Sequence, residues 1–343
     1  MHQFCIRNKK TNLSPPHTIF TTTQLIINQK GSSLSVKNGR YCIRSGENVA
    51  FVSVHEVKVI HLHSATKLSF EVVQTALDHH TDVLFVNRKG HPIGRLWGNT
   101  FGSISTIRKN QLKFSQSSTG VEWVRTVLKQ KAENQSNVLE LLSLLSEIPI
   151  DILLQKINRY AEKFVNFKHE DFSETFASFR GFEGSCSKYY FEGIKLILPQ
   201  KYRFERRSQH PALDMFNCLL NYGYGMLYAH CESALIRAGI DPAIGVMHRD
   251  EYNRPVLVYD FIEKFRHWID YVVCHLCLQE VIFEEFFDVE NQQFWLNTYG
   301  KRILIQSINE YLEELISLEG LSRSRLNHLE LEAQRLASML KKI

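Results

Sequence analysis

The chain has 343 residues, 44% of them hydrophobic and 22% charged, which is enough for buried cores and suggests two domains. A net charge of +5 permits a polyanionic partner without demanding one. No apolar run approaches the roughly 18 residues of a membrane span, and the opening MHQFCIRNKKTNLSPPHTIF lacks the pattern of a signal peptide, so the expectation is a soluble, intracellular protein with no membrane partner.

From about Thr18 to Trp97 the hydrophobic pattern is short and alternating. SLSVKNGRYCIRSG predicts a hairpin turning at Asn38 and Gly39, and NVAFVSVHEVKVIHLHS and, after a short helix, DVLFVNRKGHPIGRLW supply further strands. Residues 1–101 are expected to form a small β-rich, sandwich-like domain. Residues 102–120 lose both periods and carry much Ser, Thr and Lys, the texture of a linker. Helical spacing begins at Val121 with VEWVRTVLKQKAENQSNVLELLSLL, so 121–343 are expected to be a larger, all-α catalytic domain and the fold class to be α+β. The seven cysteines are odd in number and scattered, which points to reduced thiols. Cys274 and Cys277 fall in an apolar helical run without a second pair, and are expected in the core rather than on zinc.

Charged residues crowd the stretch GVMHRDEYNRPVLVYDFIEKFR. In the helix predicted from Asp260, residues Phe261, Ile262, Phe265, Trp268 and Ile269 form one apolar face, while Asp260, Glu263, His267 and Asp270 share the other. Two acids one turn apart repel unless a cation sits beside them, and Arg266 alone could supply it on a solvated face. The apolar continuation WIDYVVCHLCL argues instead that the polar opening turn faces a cleft. His248 precedes this helix, and Glu183 sits between Gly181 and Gly184 in FRGFEGSCSKYYFEG, where it is expected to open a helix with Ser187 and Tyr190 on its face.

Carboxylates and one imidazole from three separated segments are the inventory of a catalytic site for manganese or magnesium. A first-turn acid, a solvated helix face and an ordinary histidine explain the same residues one at a time, and composition does not decide. Between Glu183 and His248, LPQKYRFERRSQHP alternates Lys201, Arg203, Arg206 and Arg207 with Tyr202 and Phe204. Such a segment can grip phosphates while its rings pack or stack on bases, and Arg249 and Arg254 add cations near the supposed site.

The set RGFEG, HPALDMFNCLLNYGYGMLYAHCESALIRAGIDPAIGVMHRDEYNRPVLVYDFIEKFR and KQKAENQ closely resembles the CRISPR-associated integrase of spacer acquisition, the Cas one family. The resemblance runs from Val121 to Cys277 in order. It implies a β-rich amino-terminal domain, a helical catalytic domain, a homodimer, a small Cas two partner and a cytoplasmic prokaryotic setting. By position it makes Glu183, His248 and Glu263 the metal ligands, for Mg2+ or Mn2+, and Asp260 an assisting acid. The implied activity is insertion of short double-stranded DNA into a repeat array by transesterification, with endonuclease cleavage as its reverse. Lys264 and His267 stand where the family commonly has proline, a departure on the helix surface. Removal of any one ligand is expected to end strand transfer and leave folding intact.

Overall fold

The structure, a computed structural model, describes residues 18–20, 24–27, 30–63, 66–79, 81–87, 92–96, 104–167, 171–209, 211–248 and 254–343. The chain divides into two units, residues 1–100 and 101–343. In the first, β1 (Thr18–Phe20), β2 (Gln24–Ile27), β3 (Ser33–Lys37), β4 (Arg40–Ser45), β5 (Asn48–Ser53), β6 (Val59–His63) and β7 (Lys67–Leu68) precede helix α1 (Phe70–Asp78), followed by β8 (Asp82–Val86) and β9 (Pro92–Leu96). One sheet runs β1-β2-β6-β8-β9, parallel at β2–β6 and β6–β8; the other runs β5-β4-β3-β7. Leu25, Ile27, Ile60, Leu62 and Val83 of the first sheet, Leu34, Tyr41 and Ile43 of the second, and Val72 and Ala76 of α1 share one core. That is the sandwich expected from the alternating pattern. The β3–β4 hairpin turns on Asn38 and Gly39, both at positive φ (50° and 68°), as a two-residue turn with the twist of its strands requires.

The second unit contains α2 (Ile104–Ser115), α3 (Ser118–Ser146), α4 (Asp151–Asn166), α5 (Phe172–Ile197), α6 (Met215–Arg237), α7 (Val256–Ile262) and α8 (Arg266–Leu278). A hairpin of β10 (Phe287–Glu290) and β11 (Gln293–Leu296) leads to α9 (Thr298–Glu313), and a second of β12 (Leu315–Leu318) and β13 (Leu321–Ser324) leads to α10 (Arg325–Leu340). Two expectations change here. The supposed linker contains α2, whose Ile107 and Phe114 are buried in the core of the second unit; its polar residues hid the spacing, because Asn110 and Gln111 are themselves buried, donating to the carbonyls of Leu340, Asp241 and Ile244. The domain is mainly helical rather than all-α, since two hairpins of four-residue strands were too short to register against the helical spacing around them.

Helices α3, α4 and α5 pack together, and α8 lies against α3 and α6. Side-chain caps start α3 and α5: Ser117 accepts from the Gly120 N–H, and Asp171 from that of Ser173. Gly193 allows α5 to approach α3 closely, for a Cβ there would stand 2.7 Å from the Leu139 side chain. Cys274 and Cys277 are buried in α8 as expected of core thiols. Among the described residues no helix is long and apolar enough to cross a membrane.

Candidate active site

The side chains singled out by sequence come from four places on the helical unit. Glu183 is not a helix-opening acid: it lies in the middle of α5, and its Oε1 accepts a 2.8 Å hydrogen bond from Ser187, one turn on. Tyr190 turns elsewhere, donating to Asp270. The long helix expected from Asp260 is two helices, α7 and α8, separated by a tight turn at residues 263–265 in which the Phe265 N–H reaches the Ile262 carbonyl. The Lys264 carbonyl freed by that break accepts from Asn134 of α3 at 3.2 Å. The apolar face is as predicted, with Phe261, Ile262, Phe265, Trp268 and Ile269 all buried.

The acids opposite do not share one solvated cleft face. Asp260, 2% exposed, anchors the loop carrying His248: it accepts backbone hydrogen bonds from Val246, Met247 and His248, and its Oδ1 lies 2.6 Å from His248 Nδ1. Burial pulls the His248 pKa down, yet Asp260 outweighs this and holds it above the ordinary imidazole value. Asp270 is buried between the hydroxyls of Tyr190 and Tyr224, and burial pushes its pKa up to about 6. His267 is partly buried, and loss of solvent around its ring drives its pKa down to about 3, which favours the neutral form.

Glu263 is the buried centre of charge. Burial opposes its ionisation, but Arg266 and Lys131 overcome it and press its pKa down to about 2. Arg266 Nε donates to its Oε1 at 2.9 Å; Lys131 Nζ stands 2.6 Å from its Oε2 and also contacts Glu183 Oε1. Lys131 is 7% exposed, and although burial favours its neutral form, Glu263 and Glu183 keep it charged with a raised pKa. Two carboxylates and two cations therefore close a balanced set. Sequence reasoning missed the roles of Lys131, Asn134 and Gln135, three of the polar residues of KQKAENQ. Their i, i+3, i+4 spacing places them on one face of α3 toward the site.

A cleft of about 620 Å³ opens beside this set, lined by Lys131, Glu183, Glu263, Arg206, Arg207 and Arg266 among others. His248 is not among its lining residues. The basic segment is only partly what its pattern suggested. Tyr202 and Phe204 are core residues rather than a stacking platform, with the Tyr202 hydroxyl bonded to the Ile282 carbonyl and Phe204 stacked on Phe216. Lys201 pairs with Glu280, and Arg203 donates to the Leu196 and Leu198 carbonyls at the end of α5. Arg207 is clamped by Asn217 and Asn221 and lies over the Phe191 and Tyr224 rings. Arg206 and Arg207 reach the cleft. Arg254 is exposed just before α7, and Arg249 lies outside the described residues.

With this geometry in hand, the family model for CRISPR associated protein Cas1 matches residues 25–310. The chain belongs to the Cas1 family. It is 27% identical over 340 residues to the CRISPR-associated endonuclease Cas1 1 of Archaeoglobus fulgidus, covering 93% of this chain and 96% of that one. Its fold is similar to a CAS1 protein from Thermotoga maritima (TM-score 0.77, 20% identity, 92% and 96% of the two chains). A casposase bound to integration product has a similar fold as well (TM-score 0.80, 21% identity, 93% and 91%). The Cas1 match spans most of the β-rich unit and most of the helical one.

Proposed function

We propose that this Cas1 chain is a divalent-metal-dependent DNA integrase and endonuclease that joins short DNA to a CRISPR repeat array. The observation that carries the reading is the convergence of Glu183 and Glu263, from helices far apart in sequence, on one cation-bridged position at the edge of an arginine-lined cleft. Family membership supports the same reading, as does the fold shared with a casposase bound to integration product.

The residues fit a bound metal in kind. Glu263 Oε2 is buried and close to Lys131 without a well-aligned hydrogen bond, and Gln135 Oε1, also buried, has no hydrogen-bond partner among the described residues. Glu183, Glu263 and His248 would hold Mn2+ or Mg2+. Among the described residues no three acid, histidine or cysteine side chains already stand as a ready metal cluster, so the set would close on loading. Bound there, such an ion lowers the pKa of a hydroxyl and stabilises charge on a leaving oxygen.

The remaining work belongs to the chain. Asp260 holds Nδ1 of His248, which leaves Nε2 as the free ligand or donor atom. Ser187 steadies Glu183, and Arg266 steadies Glu263. Arg206 and Arg207 place positive charge along the cleft, suited to a phosphodiester. In the joining step the donor 3′-oxygen forms a bond to phosphorus and gives up its proton, while the bond from that phosphorus to the target's 3′-oxygen breaks and that oxygen takes up a proton, leaving as a free 3′-hydroxyl. One phosphodiester replaces another, so no nucleotide is consumed. Double-stranded DNA, a second copy of this chain and a small Cas two protein are its proposed partners, and the prokaryotic cytoplasm its proposed setting.

The test is incubation with short duplex donors and a supercoiled plasmid carrying a repeat array, with Mn2+ or Mg2+. Sequenced donor–target junctions at the repeat border support the reading. Cleavage of branched DNA without junctions would assign a general nuclease instead.

A further inference from the structure

We infer that Lys131 is an internal stand-in for the metal: its ammonium occupies the position between Glu183 and Glu263 that a bound ion requires, and it must withdraw when the ion enters. The inference rests on the metal-binding reading above. Its grounds are geometric. Lys131 Nζ touches one oxygen of each acid, which is the bridging role of a small cation. The fit is imperfect, because Glu263 Oε2 gains a neighbour at 2.6 Å but no aligned hydrogen bond. One turn further along α3, Gln135 offers a buried oxygen to the same cleft with no donor among the described residues. An ammonium on a flexible four-carbon stem can leave such a place by bond rotation alone. The open cleft it lines gives the displaced charge somewhere to go, alongside Arg206 and Arg207.

This arrangement has a purpose before loading. Two acids facing one another without a cation would repel, so Lys131 holds Glu183 and Glu263 together in the metal-free protein. It also competes with the metal. Exchange of a charge-assisted bond shared by both acids should weaken metal binding roughly tenfold or more. Once displaced, Lys131 would face the phosphate brought to the cleft.

The experiment measures Mn2+ binding to the full chain without DNA, by electron paramagnetic resonance of the free ion, for wild type, Lys131→Met, Lys131→Arg and Glu183→Gln. The expected result is binding roughly tenfold tighter in Lys131→Met, no gain in Lys131→Arg, and loss in Glu183→Gln. Binding to Lys131→Met no tighter than to wild type, with wild type binding normally, overturns the inference and leaves the metal site standing. No Mn2+ binding to either overturns both. A second measurement needs no variant: reductive methylation of wild type, read by peptide mass spectrometry. Lys131 should become more reactive when Mn2+ is added, and equal labelling with and without the ion would overturn the inference even if Lys131→Met fails to fold.

Discussion

Replacing Glu263 with Gln removes one charge and little volume, yet it should cost the helical unit much of its stability. The side chain is 8% exposed and holds buried Lys131 and partly buried Arg266. Its pKa falls from an ordinary 4.5 to about 2, a depression equivalent to about 3 kcal/mol. Because the folded-state value is the lower one, this contribution is complete above about pH 4.5 and is lost as the pH falls toward 2. About 2 kcal/mol of it should vanish between pH 7 and pH 3. The variant would leave buried Lys131 with Glu183 alone and take from Arg266 its ion-pair partner, a recognised route to large destabilisation. Urea unfolding in the presence of a chelator, followed by the fluorescence of Trp123, Trp268 and Trp295 in a Trp97→Phe background, reads the helical unit. Wild type should exceed Glu263→Gln by about 3 kcal/mol at pH 7 and by about 1 kcal/mol at pH 3. Equal stability at pH 7, or a difference that does not shrink with acid, would refute the reasoning. The sequence-based expectation that losing a ligand leaves folding intact is thus revised for Glu263.

Three further outcomes follow from the same electrostatics. Asp270, raised from 3.8 to about 6, favours its protonated form in the folded state, so its contribution grows as pH falls through 6 and is lost as pH rises. Relative to Asp270→Asn, wild type should gain about 1.4 kcal/mol between pH 7.5 and pH 5, and parallel stability profiles would contradict this. Because Asp260 raises the His248 pKa and the imidazole must be neutral to bind a metal, Mn2+-supported joining should decline as pH falls through a value above the ordinary 6.5; Asp260→Asn should move that limb to lower pH, and an unmoved limb would detach His248 from the metal. Arg206→Gln should weaken binding of DNA of any sequence and reduce its salt slope by about 1, whereas Arg207→Gln should also lower thermal stability through its lost contacts to Asn217 and Asn221; identical behaviour of the two would undo this division.

What the sequence disclosed and what it hid follow from the range of the interactions. The Asn38–Gly39 turn and the apolar face from Phe261 to Ile269 are local patterns, and both were legible. The buried polar face was not: periodicity groups Asp260, Glu263 and Asp270 together, but each is held by partners from other elements, respectively the His248 loop, Lys131 with Arg266, and Tyr190 with Tyr224. Lys131 lies 52 residues from Glu183 and 132 from Glu263, so no spacing rule could join them. The break at residues 263–265 carries neither proline nor glycine as a marker, and the carbonyl it frees is satisfied by Asn134 from another helix. In KYRFERR the alternation looked like a nucleic-acid platform, whereas the aromatic rings were needed for the core.

The central claim is that this cleft joins strands rather than only cutting them. It is tested most directly with two labelled duplex donors, one ending in a 3′-hydroxyl and one in a dideoxynucleotide, offered with Mn2+ to wild type and Glu183→Gln on a supercoiled repeat-bearing target. The account predicts a slow-migrating joined product only from the hydroxyl donor and only with wild type. Target nicking at equal rates with both donors, and no joined product from either, would contradict it.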